Sequence, residues 1–155
     1  MDSLGHSDRG IHHLALLRVE DIVLSFPQAE VLSIESLAQM DTAQLMPKSS
    51  GTLLYRSSEL PVFTLNRDLA LMVQAASGNR FCVAIKHPDT AQYFALTCDA
   101  VNQHSVEDET KSSDIPAVMQ SPGSPITRLL KIDNKLVLMS SAEAMRSYIN
   151  STVGG

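Results

Sequence analysis

A chain of 155 residues with 44% apolar content is long enough for one domain or two small subdomains around a real core, which excludes wholesale disorder. The formal charge is −5 and the Lys and Arg residues are scattered, which argues against a nucleic-acid partner, because phosphate binding needs a concentrated basic surface. No apolar run approaches the roughly 18 residues of a membrane-crossing helix, and MDSLGHSDRG has no apolar signal core, so the expectation is a cytoplasmic protein without membrane insertion.

Residues 1–12 read as a mobile tail. Residues 14–19 and 22–26 are strand-length apolar runs joined by Glu20–Asp21, a hairpin without the usual glycine. Ser25-Phe26-Pro27-Gln28 has the spacing of a capping box, with Ala29, Val31, Leu32 and Ile34 as a short helical face. Residues 38–50 form a loop that turns at Met46–Pro47.

Residues 51–69, GTLLYRSSELPVFTLNRDL, carry two further strand-length runs, 52–55 and 60–65. A polar turn at 56–59 separates them, so they read as a hairpin. Pro61 donates no ladder hydrogen bond, so the second strand is expected to begin or lie on an edge there. Asn66–Asp68 then reads as a cap before a short apolar helix that ends near Val73. QAASGNR, residues 74–80, is a break and the expected subdomain boundary.

Residues 81–85 and 93–98 form the next strand pair, with a turn near 87–89. Cys82 and Cys98 lie on these two strands, at a spacing that allows them to stand opposite each other. Two cysteines make no disulfide framework, and the expected role is packing. Residues 104–125 read as a long polar loop. Residues 126–139 close the sheet through an Asp133–Asn134 hairpin turn. Ser140-Ser141-Ala142-Glu143 is another capping pattern, and Ala142, Met145 and Ile149 recur at helical spacing, so a helix is expected over 141–150 before the chain frays. The expected organisation is one domain over 13–150, with subdomains at about 13–73 and 80–140.

Motifs for covalent chemistry are missing from the sequence. There is no G-x-S-x-G, no H-E-x-x-H, no zinc-spaced cysteine pair and no glycine-rich phosphate loop. His12 and His13 are adjacent on a strand and point to opposite faces, so they do not share one ion. Asn150-Ser151-Thr152 matches a glycosylation sequon, but a short sequon arises by chance. Neither an enzyme, nor a cofactor, nor a metal site is expected.

The 51–65 stretch resembles the CheW-like domain of bacterial chemosensory arrays, which typically shows G-V-I-N-L-R-G-x-x-L-P-V-x-D-L. Gly51 stands at the leading glycine, Leu53 and Tyr55 at apolar strand positions, and Arg56 at the arginine. Leu60, Pro61 and Val62 stand at L-P-V, and Leu65 at the closing leucine. Two positions depart: Ser57 replaces the glycine after the arginine, and Thr64 replaces the aspartate, where it can still offer a capping oxygen. Phe26, Pro27, Val31 and Ile34 resemble the family's L-P-x-x-x-V-x-E-V, with Ser33 at the acidic position that the family uses in partner contacts. Asp99 and Val101 fit its V-D-x-V. The resemblance covers nearly the whole chain and is sharpest at 51–65.

The resemblance implies a mainly β fold of two five-stranded, SH3-like barrels side by side with short helices. It implies a non-catalytic adaptor between the cytoplasmic tips of chemoreceptors and a CheA-type histidine kinase, in flagellar chemotaxis or in type IV pilus twitching motility. The partner-binding residues it points to are Arg56, Val31, Ser33, Leu54, Ser57 and Asp99. Each has a plainer reading. Arg56 suits a solvated strand end that covers apolar surface with its stem, and Val31 and Leu54 suit a core. A diverged scaffold without kinase coupling and a small-ligand-binding β-barrel are the alternative functions.

Overall fold

Strands that are apolar at both odd and even positions must be covered on both faces, and two curled sheets packed together meet that need here. The structure, a computed structural model, describes residues 11–87, 93–107, 112–113 and 124–154. Nearly all of the expected tail and most of the 104–125 loop lie outside them.

The first sheet contains β1 (Ile11–Val19), β2 (Ile22–Pro27), β9 (Ala100–Glu107), β10 (Ser112–Ser113), β11 (Arg128–Ile132) and β12 (Lys135–Met139), in the order β10-β11-β12-β2-β1-β9. The second contains β3 (Val31–Ser36), β4 (Gly51–Tyr55), β5 (Ser58–Leu65), β7 (Phe81–Lys86) and β8 (Tyr93–Cys98), in the order β3-β7-β8-β5-β4. A short β6 (Leu71–Met72) pairs with β5. Pairing is antiparallel except between β12 and β2 and between β5 and β8. A helix, α1 (Ala142–Gly154), follows.

The subdomains therefore do not divide the chain at 74–80. The first hairpin pairs with strands from the C-terminal half, and everything from Val31 to Cys98 builds the other sheet. The chain leaves the first sheet after Pro27 and returns at Ala100, since β1 finds its second neighbour in β9. The tail is also shorter than expected, because Ile11 and His12 pair with Glu107 and Val106.

Three apolar clusters follow from strand alternation. Leu14, Leu130, Ile132 and Val137 fill the concave side of the first sheet. Leu53, Leu60, Val62, Cys82, Ala84 and Ala95 fill that of the second. The alternate residues, including Leu17, Leu24, Phe26, Phe63, Val83, Phe94 and Leu96, meet between the sheets, and Ala142, Met145 and Ile149 of α1 seal this shared layer. The helix is capped by Ser141, whose Oγ accepts from the Ala144 N–H at 3.1 Å. Ser140 instead turns inward and donates to the Pro125 carbonyl at 2.7 Å. The first free N–H, that of Ala142, donates to Glu30 Oε1 at 2.7 Å. Burial holds the Glu30 carboxyl above its ordinary pKa, against the opposing pull of this bond. The helix continues to Gly154, past the expected fraying point.

Two expected helices are absent. After Pro27 there is only a 3-10 turn, Gln28–Glu30, and then β3. Ser25 does not cap it, because its Oγ is buried without a hydrogen-bond partner. The β-branched Val31 and Ile34 suit a strand beside β7, opposite Ile85 and Val83. At 66–70 the Asn66 side chain accepts from the N–H groups of Asp68 and Ala70, and Leu69 adopts φ 65°. This Asx turn reverses the chain into β6, and the Tyr148 hydroxyl donates to the Leu69 carbonyl.

The expected hairpins at 20–21 and 133–134 are present, with Glu20, Asp133 and Asn134 at positive φ. Pro61 lies inside β5, an interior strand, yet costs no bond to β4. It faces Thr52, whose N–H and C=O both turn outward to bridge Asp41 at 2.7 and 2.8 Å. Pairing to β8 begins only at Val62. Beyond Glu107 much of the predicted loop is undescribed, but residues 104–107 belong to β9.

Cys82 and Cys98 are not opposite each other. The β7–β8 register sets Cys82 against Thr97 and Cys98 against Phe81, so the thiols point to different clusters. Both are buried and free. Burial pushes Cys82 up to about 11 and Cys98 up to about 12. Both are thus expected to resist a thiol reagent at pH 8 in the native protein and to react fully in denaturant. Native-state labelling at the rate of a free thiol would show that this packing opens readily.

Candidate protein-interaction surface

The tip of the β4–β5 hairpin is a two-residue turn, Arg56–Ser57, with φ 50° and 69°. Two successive left-handed residues define the turn that matches the right-handed twist of paired strands. The strain of a serine at a glycine position is therefore real here. Ser57→Gly is expected to stabilise the protein by about 0.5–1 kcal/mol, read as a higher denaturant midpoint. An unchanged or lower midpoint would show that the turn tolerates the serine without cost.

Arg56 is exposed, and its guanidinium carbon lies 5.3 Å from the centre of the Tyr55 ring. The charge is thereby held against the hairpin rather than left to sweep through solvent. Leu54 is 67% exposed on β4, the outermost strand of its sheet, and faces Glu59. Its N–H and C=O point outward, as those of Thr52 two residues earlier do, but Asp41 covers only Thr52. Leu54, Arg56 and Ser57 thus form one patch: an open strand edge, an apolar side chain and a fixed cation.

Val31 and Ser33 lie on β3, at the opposite end of the strand order. Val31 is half-buried against the shared core. The β3 ladder is irregular between Val31 and Ser33, and the Ser33 Oγ is buried without a partner. No strand pairing joins β3 to β4 directly, so these two residues lie on a different strand edge from the hairpin patch.

Asp99 sits between β8 and β9 as a fastener. Its N–H donates to the Arg18 carbonyl at 2.7 Å, and its Oδ2 accepts from the Glu20 N–H at 3.0 Å. Its Oδ1 accepts from Asn79 Nδ2 at 2.8 Å. Both carboxylate oxygens are thus engaged in joining the first hairpin to the 76–79 turn. Thr64 likewise caps nothing. It is fully buried, with Oγ1 2.8 Å from Ser50 Oγ and 2.9 Å from Thr97 Oγ1.

A groove of about 420 Å³ lies between the two sheets, as the resemblance implied, although its lining residues were not singled out from the sequence. Asp21, Ile22, Leu136 and Leu138 line its first-sheet side, and Arg67, Asp68 and Leu69 the other. Leu136 is 53% exposed. The signal was the unbroken apolar run 136–139, which does not alternate as a strand with one wet face would. The Arg67–Asp21 pair at its rim, 3.6 Å apart, is exposed and contributes little to stability.

Among the described residues no group of three or more His, Cys, Asp or Glu side chains is placed to hold a metal ion. No helix of the described residues is long and apolar enough to cross a membrane.

No protein-family model matches the chain, and no curated protein sequence matches it. Among solved structures it is similar to the crystal structure of the scaffolding protein TtCheW from Thermoanaerobacter tengcongensis, with a TM-score of 0.65 at 15% identity over 84% of each chain. The chain has the CheW-like fold, mainly β with two curled sheets side by side, in the diverged form that the 51–65 resemblance implied.

Proposed function

We propose that this protein is a non-catalytic adaptor that couples chemoreceptor tips to a CheA-type histidine kinase in a bacterial chemosensory system. Flagellar chemotaxis and type IV pilus motility are both compatible settings, and the cytoplasm is the compartment where such partners meet. The fold it shares with a scaffolding protein supports the reading. The observation that carries it is the hairpin tip, where Leu54, Arg56 and Ser57 present an open strand edge, an apolar contact and a cation together. Such an edge takes a partner strand or helix without covalent chemistry.

The partner-binding residues proposed first are Arg56, Leu54 and Ser57. Val31 and Ser33 would belong to a second contact on β3, and Asp99 would act indirectly by holding the first hairpin. The test is a binding titration of the purified chain against the kinase regulatory domain and a receptor-tip fragment from the same organism. Saturable micromolar binding to one of them is expected. Arg56→Glu should weaken it by at least about tenfold while moving the melting temperature by no more than a few degrees, as surface changes do. If the folded protein binds neither partner, the adaptor role is excluded. If Arg56→Glu instead unfolds the protein, Arg56 is structural.

A further inference from the structure

Among the described residues the curled first sheet carries a groove at one end, and nothing in the proposed adaptor role uses it. The curled sheet leaves a groove there of about 350 Å³, within the range of small-molecule sites. Leu16, Val23, Ile132 and Val137 line it, continuous with the apolar cluster of the concave face. The ladders explain why these residues meet. Leu16 lies opposite Asn102 and Arg18 opposite both Val23 and Ala100, while the β11–β12 hairpin sets Ile132 opposite Lys135.

The polar groups gather at the mouth. Arg18 and Lys135 are exposed there, and neither makes an ion pair among the described residues. Among the described lining residues Asp133 is the one carboxylate, and Asn102, Gln103 and His104 add polar side chains to the wall. A chain of net charge −5 thus gathers two cations, without an ion pair among the described residues, around a cleft with an apolar floor. Two cations against one carboxylate favour an anionic head, and four branched aliphatic side chains favour a hydrocarbon tail.

The geometry points to a binding site for a small amphipathic monoanion, a carboxylate with a short aliphatic chain, its tail on Leu16, Val23, Ile132 and Val137 and its head between Arg18 and Lys135. A neutral or cationic molecule of the same length loses the head contact, and a fully polar anion gains nothing from the cleft.

The test is a methyl-detected NMR titration of the full chain with sodium octanoate. Saturable shifts are expected at the methyl groups of Leu16, Val23, Ile132 and Val137, while those of Leu53 and Val62 in the other barrel stay in place. Octylamine and octanol should give no saturable shift at the same four residues. The double variant Arg18→Glu and Lys135→Glu, with its fold confirmed by an unchanged spectrum elsewhere, should weaken octanoate binding by at least about tenfold. Linear shifts without saturation, or equal responses to acid, amine and alcohol, would overturn the site. So would concentration-dependent broadening of those methyl groups without probe, which would make the groove a contact between copies of the chain.

Discussion

Replacing Phe94 with alanine is expected to destabilise the protein by about 3–5 kcal/mol and to lower its melting temperature by about ten degrees. Phe94 is fully buried in the layer shared by the two sheets and α1. Leu17, Phe26, Phe63 and Leu96 of the same core are themselves fully or almost fully buried on paired strands, so they have little freedom to fill the space. The ring also lies 5.9 Å from the Arg146 guanidinium carbon. Burial lowers the pKa of that guanidinium, and its Nε and Nη1 have no hydrogen-bond partner, so the ring face is one of few favourable contacts it has. Truncation would therefore leave a cavity beside a poorly solvated charge. The measurement is equilibrium denaturation followed by circular dichroism, with Leu130→Ala in the first barrel's own cluster as a comparison. Both variants should unfold in one transition, because the shared layer makes each sheet depend on the other. A loss below about 1 kcal/mol for Phe94→Ala, or two separated transitions, would show that the layer between the sheets is not the structural centre.

The strands were legible because their signal is local. Runs such as Leu60–Leu65 and Lys135–Met139 have the length, the flanking turns and the apolar content that only a covered strand needs. The C-terminal helix was legible for the same reason, since Ala142, Met145 and Ile149 mark one face and a serine precedes it. What failed was whatever long-range pairing decides. Ser25-Phe26-Pro27-Gln28 offers a capping pattern, yet the edge of β7 was available to Val31–Ser36, and a ladder of backbone hydrogen bonds outweighs a capping preference worth about 1 kcal/mol. The subdomain boundary failed because composition marks where a chain turns, not which sheet receives it. That Leu54, Arg56 and Ser57 are neighbours was legible, because the two-residue turn Arg56–Ser57 keeps them close in sequence and in space. Asp99 was named from the sequence for partner binding, and its hydrogen-bond partners Asn79, Glu20 and Arg18 lie 20 to 81 positions away and gave no local sign of its fastening role.

Gly51→Ala should cost about 3 kcal/mol, at the upper end of what overpacking usually does. The glycine heads the 51–65 motif, and the structure shows why the position resists a side chain. A Cβ there would come within 2.3 Å of the Asp41 carbonyl oxygen, and within 2.8 and 2.9 Å of Met40 Cγ and Sδ. Met40 is flexible and moves aside at small cost. The Asp41 carbonyl cannot, because it accepts from the Thr52 N–H at 2.7 Å while the Asp41 N–H donates to the Thr52 carbonyl at 2.8 Å. Accommodating a methyl group thus means breaking the bridge that covers the edge of β4. Thr52 Oγ1 also donates to the Ala43 carbonyl at 2.7 Å, so the 41–43 segment would move as a unit. Native-state hydrogen exchange locates the damage: the Thr52 and Asp41 amides should lose protection while those of β7 and β8 keep theirs. Met40→Ala in the Gly51→Ala background should recover only a minor part of the stability, since the carbonyl clash remains. An unchanged denaturation midpoint for Gly51→Ala would show that the site accommodates a methyl group, and full rescue by Met40→Ala would show that the side chain and not the backbone bridge excludes it. The glycine would then serve methionine packing, and the open part of the β4 edge at Leu54 would extend back to Thr52 without consequence for stability.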